Sequence, residues 1–387
     1  MPDYSVPLSA PNISGNEWEY IKKCLDSSWV SSAGNYVELF EKKVANYIDS
    51  KFSIACVNGT SALQISLLIA GVKPGDEVIV PTLTFISPVN AVRYNGAEPI
   101  FMDADENYNL DAEKTLDFLK KETFYKDGNT FNKKTKARIS GIIPVHVFGN
   151  PVLLDELKIL CDEQNIAFIE DATESLGSFY TKGQFMGKHA GTIGDLGCLS
   201  FNGNKIITTG GGGMIITEDE KLAEKARYLT TQAKDDPVRY IHHEVGYNFR
   251  LTNIQAAMGV AQLEKLEEFL NRKEQIHKRY SEAIEKIKGL SLLQGPGYAK
   301  NNYWLNILQI DQAIYFIDRS ELMLRLEQRG IQARPVWALI HNQRPYKKCQ
   351  TYEIGRAEDL IEKSLCLPSS TNLSEKDLNK VIGVLNG

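Results

Sequence analysis

The chain has 387 residues, of which 43% are hydrophobic and 24% charged, which is the composition of an ordinary globular protein. Its formal net charge of −5 leaves no basic excess, so neither nucleic acid nor an anionic membrane is an expected partner. No apolar run reaches the roughly 18 residues that a spanning helix needs, and residues 1–5 do not begin a signal sequence. We therefore expect a cytoplasmic protein. The six cysteines lack metal-ligand spacing, so we expect reduced core thiols and no metal site.

Short apolar runs alternate with stretches of helical period over the first two thirds of the chain. This alternation predicts an α/β fold with a mostly parallel sheet and helices on both faces. A long helical pattern begins at Thr252, so we expect a large domain over 1–251 and a smaller α+β domain over 252–387. Residues 126–136 are rich in lysine and are expected to be an exposed excursion. The predicted strands are 53–57, 77–81, 98–103, 141–145, 167–170, 197–201 and 214–217.

Residues 57–63 combine the end of an apolar strand, a glycine turn and two hydroxyl residues at the start of a helix. The N–H groups at a helix start lack intrahelical partners and carry the positive end of the helix dipole. Gly59, Thr60 and Ser61 could therefore bind a phosphate, although an ordinary helix N-cap is the alternative.

Two other strand ends carry side chains that could serve the same ligand. Asp171 ends an apolar strand, and open α/β sheets bind ligands at that edge. A carboxylate there could keep a ring nitrogen protonated, whereas helix capping is the alternative. Phe85 follows another strand and could cover a flat ring, although buried aromatic residues usually belong to the core.

Lys205 lies in a run of small residues that ends in four glycines, 210–213. An amine held in such surroundings is a candidate nucleophile for an aldehyde. One molecule, pyridoxal 5′-phosphate (PLP), would use all of these groups, because it has an aldehyde, a ring nitrogen, a phosphate and a flat face. A nicotinamide dehydrogenase is disfavoured, since no GxGxxG motif follows the first strand.

The order and content of these motifs resemble the DegT/DnrJ/EryC1/StrS family of sugar aminotransferases. The most specific parts of the likeness are 58–63, 170–172, Ser200 with Lys205, and 246–257. The resemblance implies the aspartate aminotransferase architecture (PLP fold type I) and a homodimer with shared active sites. It also implies amino transfer from L-glutamate, which leaves as 2-oxoglutarate, to a nucleotide-linked keto-sugar.

The family's functional positions can be carried over to this chain. The resemblance implies that Lys205 binds the cofactor's aldehyde and moves protons, that Asp171 pairs with the ring nitrogen, and that Phe85 stacks on the ring. Many members carry Gln or His where this chain has Glu174, so the role of Glu174 near the phenolic oxygen stays open. The implied phosphate ligands are Thr60, Ser61 and Ser200, beside Gly59, with Asn248 reaching the phosphate of the neighbouring subunit.

The segments 6–9, 29–32, 170–178 and 233–237 are similar to a subgroup that serves legionaminic acid and bacillosamine pathways. This likeness implies amination at C4 of UDP-2-acetamido-2,6-dideoxy-4-ketohexose. GDP-4-keto-6-deoxymannose, a 4-keto pentose and a 3-keto sugar are the alternatives. A dehydratase would carry histidine in place of the lysine, and a regulatory homologue would have lost the lysine or the acid. Candidate sugar or nucleotide contacts are Trp29, His146, Arg250, His341 and Tyr346, with core packing or support as the alternative for the histidines and aromatics.

Overall fold

The computed structural model describes residues 4–236 and 238–387, so Pro237, at the end of one of the resembling segments, lies outside the described residues. Two short 3-10 helices, Val147–Gly149 and Ile340–Asn342, accompany the longer elements. The helices are α1 (Glu17–Asp26), α2 (Asn35–Ile48), α3 (Gly59–Ile69), α4 (Ser87–Tyr94), α5 (Ala112–Lys121), α6 (Asp155–Glu163), α7 (Glu220–Thr230), α8 (Asn253–Leu263), α9 (Leu266–Ile284), α10 (Arg319–Gln328), α11 (Arg356–Lys363) and α12 (Glu375–Leu385). The strands are β1 (Phe52–Cys56), β2 (Glu77–Pro81), β3 (Glu98–Met102), β4 (Thr123–Lys126), β5 (Asn129–Asn132), β6 (Arg138–Ile142), β7 (Ala167–Asp171), β8 (Phe179–Tyr180), β9 (Leu196–Ser200), β10 (Gly213–Thr217), β11 (Leu290–Leu292), β12 (Ala299–Lys300), β13 (Asn306–Ile310), β14 (Arg334–Pro335), β15 (Thr351–Tyr352) and β16 (Ser364–Leu367).

The large sheet has the strand order β1-β10-β9-β7-β6-β2-β3-β15. Neighbours from β9 through β15 are parallel, and β10 alone in this order runs against both of its neighbours. The predicted mostly parallel sheet is thus confirmed, with strand ends shifted by a few residues at most. As a consequence, the carboxyl ends of β1, β2, β6, β7 and β9 meet at one edge of the sheet, where α/β proteins bind their ligands.

Local sequence explains how the helices nearest that edge begin. Asn58 is the N-cap of α3, and its side chain accepts a hydrogen bond from the N–H of Ser61 at 2.7 Å. The predicted long helix at Thr252 is two helices, α8 and α9, which are separated by the turn residues Glu264 and Lys265. Thr252 and Gln255 form a capping box that fixes the start of α8.

The lysine-rich stretch at 126–136 contributes to the sheet, which the sequence did not predict. Strands β4 and β5 form a hairpin, and β5 pairs antiparallel with β6. Most of this stretch is exposed, as expected, but Thr130 and Asn132 are buried against the sheet.

The C-terminal third contains a second, antiparallel sheet with the order β11-β13-β16-β14. Helices α9, α10 and α12 pack on it around a separate cluster of buried apolar side chains. The chain between β14 and β16 returns to the large sheet, where β15 pairs with β3. Residues of the C-terminal third therefore reach the ligand-binding edge, while the domain boundary at 251 stays a prediction.

All six cysteines are free; five of them are buried and Cys349 is half-buried. Within residues 4–236 and 238–387, no helix is both long and apolar enough to span a bilayer. The same residues contain no cluster of three or more His, Cys, Asp or Glu side chains arranged to hold a metal ion.

Candidate active site

A cavity of about 320 Å³ lies at the carboxyl edge of the large sheet. Its walls come from the segments that follow β1, β2, β6, β7 and β9, together with two tryptophans of the C-terminal third, Trp304 and Trp337. The structure brings together seven of the residues predicted from the sequence, namely Gly59, Thr60, Phe85, Asp171, Glu174, Ser200 and Lys205.

The amine of Lys205 is held between a carboxylate and an aromatic ring. Its Nζ lies 3.3 Å from Glu174 Oε1 and 3.8 Å from the centroid of the Trp304 ring. The Lys205 side chain is only 13% exposed. The turn that carries it is fixed through the carbonyl of Asn204, which accepts hydrogen bonds from Ser9 Oγ and from Trp304 Nε1.

Glu174 is buried and receives hydrogen bonds at both carboxylate oxygens. Oε2 accepts from the N–H of Phe148 at 2.9 Å, and Oε1 faces Lys205. Burial raises the pKa of Glu174, and the nearby charge of Lys205 partly opposes this shift. Phe148 has a φ of 57°, which is unusual for a bulky residue, so backbone strain accompanies the N–H that orients Glu174.

Asp171 is a buried carboxylate, 2% exposed, that forms no ion pair within the described residues. Its Oδ1 accepts a hydrogen bond from the N–H of Thr173 at 3.0 Å. Burial raises the pKa of Asp171, although Thr173 and the charge of Lys205 pull it down in part. A buried charge without a partner is costly, so the site calls for a cation near this carboxylate.

The start of α3 offers hydrogen-bond donors to the cavity. The cap from Asn58 satisfies the N–H of Ser61, which leaves those of Gly59 and Thr60 without an intrahelical acceptor. A Cβ on Gly59 would lie 3.1 Å from Ser200 Cβ and closer still to Thr173, so only glycine fits this close approach. The side chain of Ser61 is buried and does not line the cavity.

Aromatic side chains form another part of the cavity wall. Phe85 is 51% exposed and tilted against Trp337, with 6.1 Å between ring centroids. Trp337 in turn stacks on Phe148 at 4.8 Å. Trp304 and Trp337 were missed from the sequence; the only available signal was a large aromatic residue beside polar or proline residues in an otherwise irregular region.

Two of the predicted residues lie on exposed surface away from this cavity. Trp29 is 59% exposed and lines a different cavity with Tyr36 and Asn253. Asn248 is also exposed, in the segment that forms a backbone bridge with Thr231. Their predicted contacts, with substrate for Trp29 and with the neighbouring subunit for Asn248, stay predictions.

Three other candidate substrate contacts lie outside the cavity lining. Arg250 forms an ion pair with the buried Glu41 at 2.7 Å. The Nδ1 of His341 lies 2.5 Å from Thr82 Oγ1. Tyr346 is buried, and its hydroxyl donates to a side chain of α4. These contacts favour the supporting role that the sequence left as an alternative for His341 and Tyr346.

His146 is fully buried beneath the site. Its Nε2 lies 2.9 Å from Glu170 Oε2, and its Nδ1 accepts a hydrogen bond from the N–H of Val152 at 3.0 Å. Because both ring nitrogens have partners in the core, this geometry matches hydrogen-bonded support rather than contact with a sugar.

The parallel sheet, with a lysine, an acid and a helix N-terminus at its carboxyl edge, defines a PLP enzyme of fold type I. A model of the DegT/DnrJ/EryC1/StrS aminotransferase family matches residues 11–386, and the chain belongs to this family. It is therefore a PLP-dependent sugar aminotransferase that acts on nucleotide sugars, and the class of enzyme expected from the sequence is confirmed.

The relatives are similar over nearly their whole length. The GDP-perosamine synthase of Caulobacter vibrioides is 38% identical over 385 residues, which cover 98% of this chain and 97% of the relative. The putative pyridoxal phosphate-dependent aminotransferase EpsN of Bacillus subtilis is 36% identical, with 98% and 95% covered. A solved DegT/DnrJ/EryC1/StrS aminotransferase from Brucella abortus superposes with a TM-score of 0.86 at 28% identity, with 96% and 95% covered.

The cavity fits PLP on evidence of its own. Asp171 lacks a cation that a protonated ring nitrogen would supply, and the first N–H groups of α3 lack acceptors that a phosphate would supply. The hydroxyl of Thr84, which lines the cavity, is buried and has no hydrogen-bond partner within the described chain. Unsatisfied groups of three kinds thus surround one space of suitable size.

Proposed function

We propose that the protein transfers the amino group of L-glutamate to C4 of a nucleotide-linked 4-keto-6-deoxyhexose, and that GDP-4-keto-6-deoxymannose is its substrate. The meeting of Lys205, Asp171 and the start of α3 in one cavity carries the proposal of amino transfer. The likeness to a GDP-perosamine synthase supports the choice of nucleotide. The UDP-linked sugar expected from the subgroup resemblance is the competing substrate.

When bound, PLP accepts an amino group from a donor amino acid, passes it to a ketone, and stabilises the carbanion character that develops between the two. Lys205 Nζ is the group that carries the proton leaving the α-carbon of glutamate and the proton reaching C4 of the sugar. The carboxylate of Asp171 would keep the ring nitrogen of the cofactor protonated. Glu174 accepts an N–H of Lys205 and so keeps the amine in the cavity between proton transfers.

The donors at the start of α3 would hold the phosphate of the cofactor. The N–H groups of Gly59 and Thr60 point out of the helix, and the hydroxyls of Thr60 and Ser200 lie beside them in the cavity wall. Trp304 and Trp337 close the side of the cavity formed by the C-terminal third and limit the access of water to Lys205.

A homodimer with shared sites is part of the proposal. Asn248 is exposed and outside its own cavity, as a residue that serves a neighbouring subunit would be. Mixing Lys205→Ala protein with Asn248→Ala protein should restore partial amination activity, because one site of the mixed dimer would have both residues intact. Mixtures that stay as inactive as the separate variants would contradict the shared site.

The substrate is tested with purified protein, L-glutamate and four ketones: the GDP-linked hexose, the UDP-linked acetamido sugar, a 4-keto pentose and a 3-keto sugar. Mass spectrometry should detect the amino sugar, with the highest kcat/KM for the GDP-linked hexose. Preference for the UDP-linked acetamido sugar would overturn the choice of substrate, both its nucleotide and its sugar, but not the proposed amino transfer. Lys205→Ala should form no product, whereas the exposed Lys221→Ala should match the wild type. Product formed by Lys205→Ala would overturn the role of the lysine.

A further inference from the structure

Helix α9 carries a buried lysine that the proposed chemistry does not use. Lys273 is 2% exposed, and its Nζ lies 2.9 Å from the carbonyl oxygen of Trp304 and 3.1 Å from Ser369 Oγ. The carbonyl oxygen of Ser369 is a third acceptor. An ammonium group has three N–H donors and no acceptor, so these three oxygens match it fully.

Lys273 is buried without an ion-pair partner in the part of the chain that the structure describes. No carboxylate among residues 4–236 and 238–387 forms an ion pair with it. Burial lowers the pKa of Lys273 to about 7. Keeping such a side chain in the core is expensive, and a methionine would fill the same space without that cost. The cost of burying Lys273 points to a role for its hydrogen bond with the carbonyl oxygen of Trp304.

Trp304 is the aromatic residue that covers the amine of Lys205, with 3.8 Å between Nζ and the ring centroid. It is fixed at both ends: its carbonyl accepts from Lys273, and its indole Nε1 donates to the carbonyl of Asn204 at 2.6 Å. A ring face attracts a cation and excludes water from it. The position of the indole therefore affects how Lys205 is held and solvated.

The backbone that delivers Trp304 does not adopt a relaxed conformation. Tyr303, the preceding residue, has a φ of 50°, a left-handed value that bulky residues seldom adopt. Asn302 ties the same segment to the large sheet, since its side chain donates to the carbonyls of Glu174 and Leu176. Such a backbone persists when surrounding contacts hold it in place, and Lys273 supplies one of them.

We propose that Lys273 is a positioning residue for amino transfer: through the carbonyl of Trp304 it holds the indole against the amine of Lys205. The proposal rests on the proposed role of Lys205 in the reaction. Without the Lys273 amine, the backbone at residues 302–304 shifts. The amine of Lys205 then becomes more accessible to solvent and less well placed for proton transfer. Glu174 and Asp171 are the charged groups that face Lys205, and within the described chain neither forms a hydrogen bond with Lys273.

The test compares Lys273→Met with Lys278→Met, a change at an exposed lysine of the same helix. The first readout uses protein without PLP: trinitrobenzenesulfonate modifies accessible amines, and peptide mass spectrometry gives the rate at Lys205. We expect Lys273→Met to raise this rate several-fold and Lys278→Met to leave it unchanged. In the PLP-loaded enzyme, kcat should fall about tenfold in Lys273→Met while KM stays within about twofold.

A double-mutant comparison separates positioning from general support of the fold. In a Trp304→Leu background, Lys273→Met should cause no further change at Lys205, because the indole through which it acts is gone. An equal effect in both backgrounds would overturn the proposal, as would a folded Lys273→Met protein that labels and turns over like the wild type.

A milder variant covers the case in which Lys273→Met does not fold. Lys273→Gln keeps N–H donors but is one bond shorter and uncharged, so it cannot reach all three acceptors, and we expect a smaller change at Lys205 in the same direction; a folded Lys273→Gln protein without any change would overturn the proposal. Failure of the proposed function would give a different experimental result from failure of the positioning role. Wild-type protein that aminates no nucleotide sugar would contradict that function, while the labelling rates would still decide whether Lys273 positions Trp304.

Discussion

Strand β7 ends in two adjacent buried carboxylates whose surroundings are opposite in character. Glu170 accepts hydrogen bonds from His146 Nε2 and from three backbone N–H groups of the turn at 191–194, at distances from 2.6 to 3.0 Å. Asp171, on the other face of the strand, accepts a hydrogen bond from the N–H of Thr173 and forms no ion pair within the described residues. The fold itself supplies the hydrogen-bond partners that the charge of Glu170 needs, whereas the described residues do not supply enough of them for Asp171.

The difference appears in the direction of the two pKa values. Burial alone would raise the pKa of Glu170, but the bonds from His146 and from the backbone outweigh it and hold the pKa below its usual value. For Asp171 burial prevails, and the pKa is raised. Burial is common to both, so it does not mark the functional carboxylate. Asp171 is distinguished instead by the lack of an ion-pair partner within the described chain, and a bound ring nitrogen can supply that partner.

Replacement of Asp171 by asparagine should have the largest effect on activity. Loss of one member of a buried ion pair costs about 3–5 kcal/mol, so kcat/KM should fall by roughly two to four orders of magnitude. The protein without PLP should remain folded, because Asp171 is unpaired there. Amination assays and thermal unfolding of the same preparation measure both quantities. Near-normal activity of Asp171→Asn would contradict its pairing with the ring nitrogen.

Replacement of Glu170 by glutamine should act on stability instead. The amide NH2 of glutamine would face N–H donors that now meet a carboxylate oxygen, and at least one would lose its acceptor. We expect a loss of about 3 kcal/mol in the free energy of unfolding. Urea unfolding tests this, and turnover per folded molecule should stay within a few-fold of the wild type. A stable Glu170→Gln protein without activity would remove the contrast with Asp171.

Much of this contrast could be predicted from the sequence, because parallel strands bring their carboxyl ends to one edge. Asp171 and Ser200 are the last residues of β7 and β9, Gly59 lies shortly after β1, and the structure brings all three to the cavity. The identity of Glu170 as the structural member of the pair could not be predicted. Its donors lie in a turn at 191–194 that has no regular pattern, and His146 comes from another strand end.

The positions of the two tryptophans, Trp304 and Trp337, also could not be predicted from the sequence. Trp304 lies 100 positions after Asn204, to which its indole donates, and it belongs to the C-terminal third but shares the buried apolar core of the large sheet. No periodicity or spacing reports such a contact. The lysine-rich hairpin was missed for a related reason: its buried residues, Thr130 and Asn132, are polar and alternate with the half-buried Asn129 and Phe131, so the run lacks the apolar pattern of a strand.

The two carboxylates should also differ in how they make stability depend on pH. The pKa of Asp171 is raised above its ordinary value of 3.8, so its contribution is present below that value and is lost as pH rises through the folded pKa. The pKa of Glu170 is lowered from 4.5, so its contribution is present above 4.5 and is lost as pH falls through the folded pKa. Urea unfolding of the PLP-free protein between pH 3 and 8 measures both.

Relative to the wild type, Asp171→Asn should therefore gain stability as pH rises. The penalty of Glu170→Gln should shrink as pH falls below 4.5. Lys205→Met in the same series shows how much of the Asp171 effect depends on the neighbouring amine. Two variants with the same pH dependence would mean that the carboxylates do not differ as their hydrogen bonds indicate.

The smallest predicted change in stability concerns two buried threonine hydroxyls, which differ as the two carboxylates do. Thr84 Oγ1 lines the cavity and has no hydrogen-bond partner among the described residues, whereas Thr115 Oγ1 donates to the carbonyl of Asp111 at 2.6 Å. An unsatisfied hydroxyl costs stability, so Thr84→Val should stabilise the PLP-free protein by about 1 kcal/mol, and Thr115→Val should destabilise it by a similar amount. If Thr84 serves a bound molecule, Thr84→Val should also raise either the Kd for PLP or the KM for the sugar about tenfold. A Thr84→Val protein that is destabilised like Thr115→Val, with unchanged binding, would show that this hydroxyl belongs to the fold and not to the site.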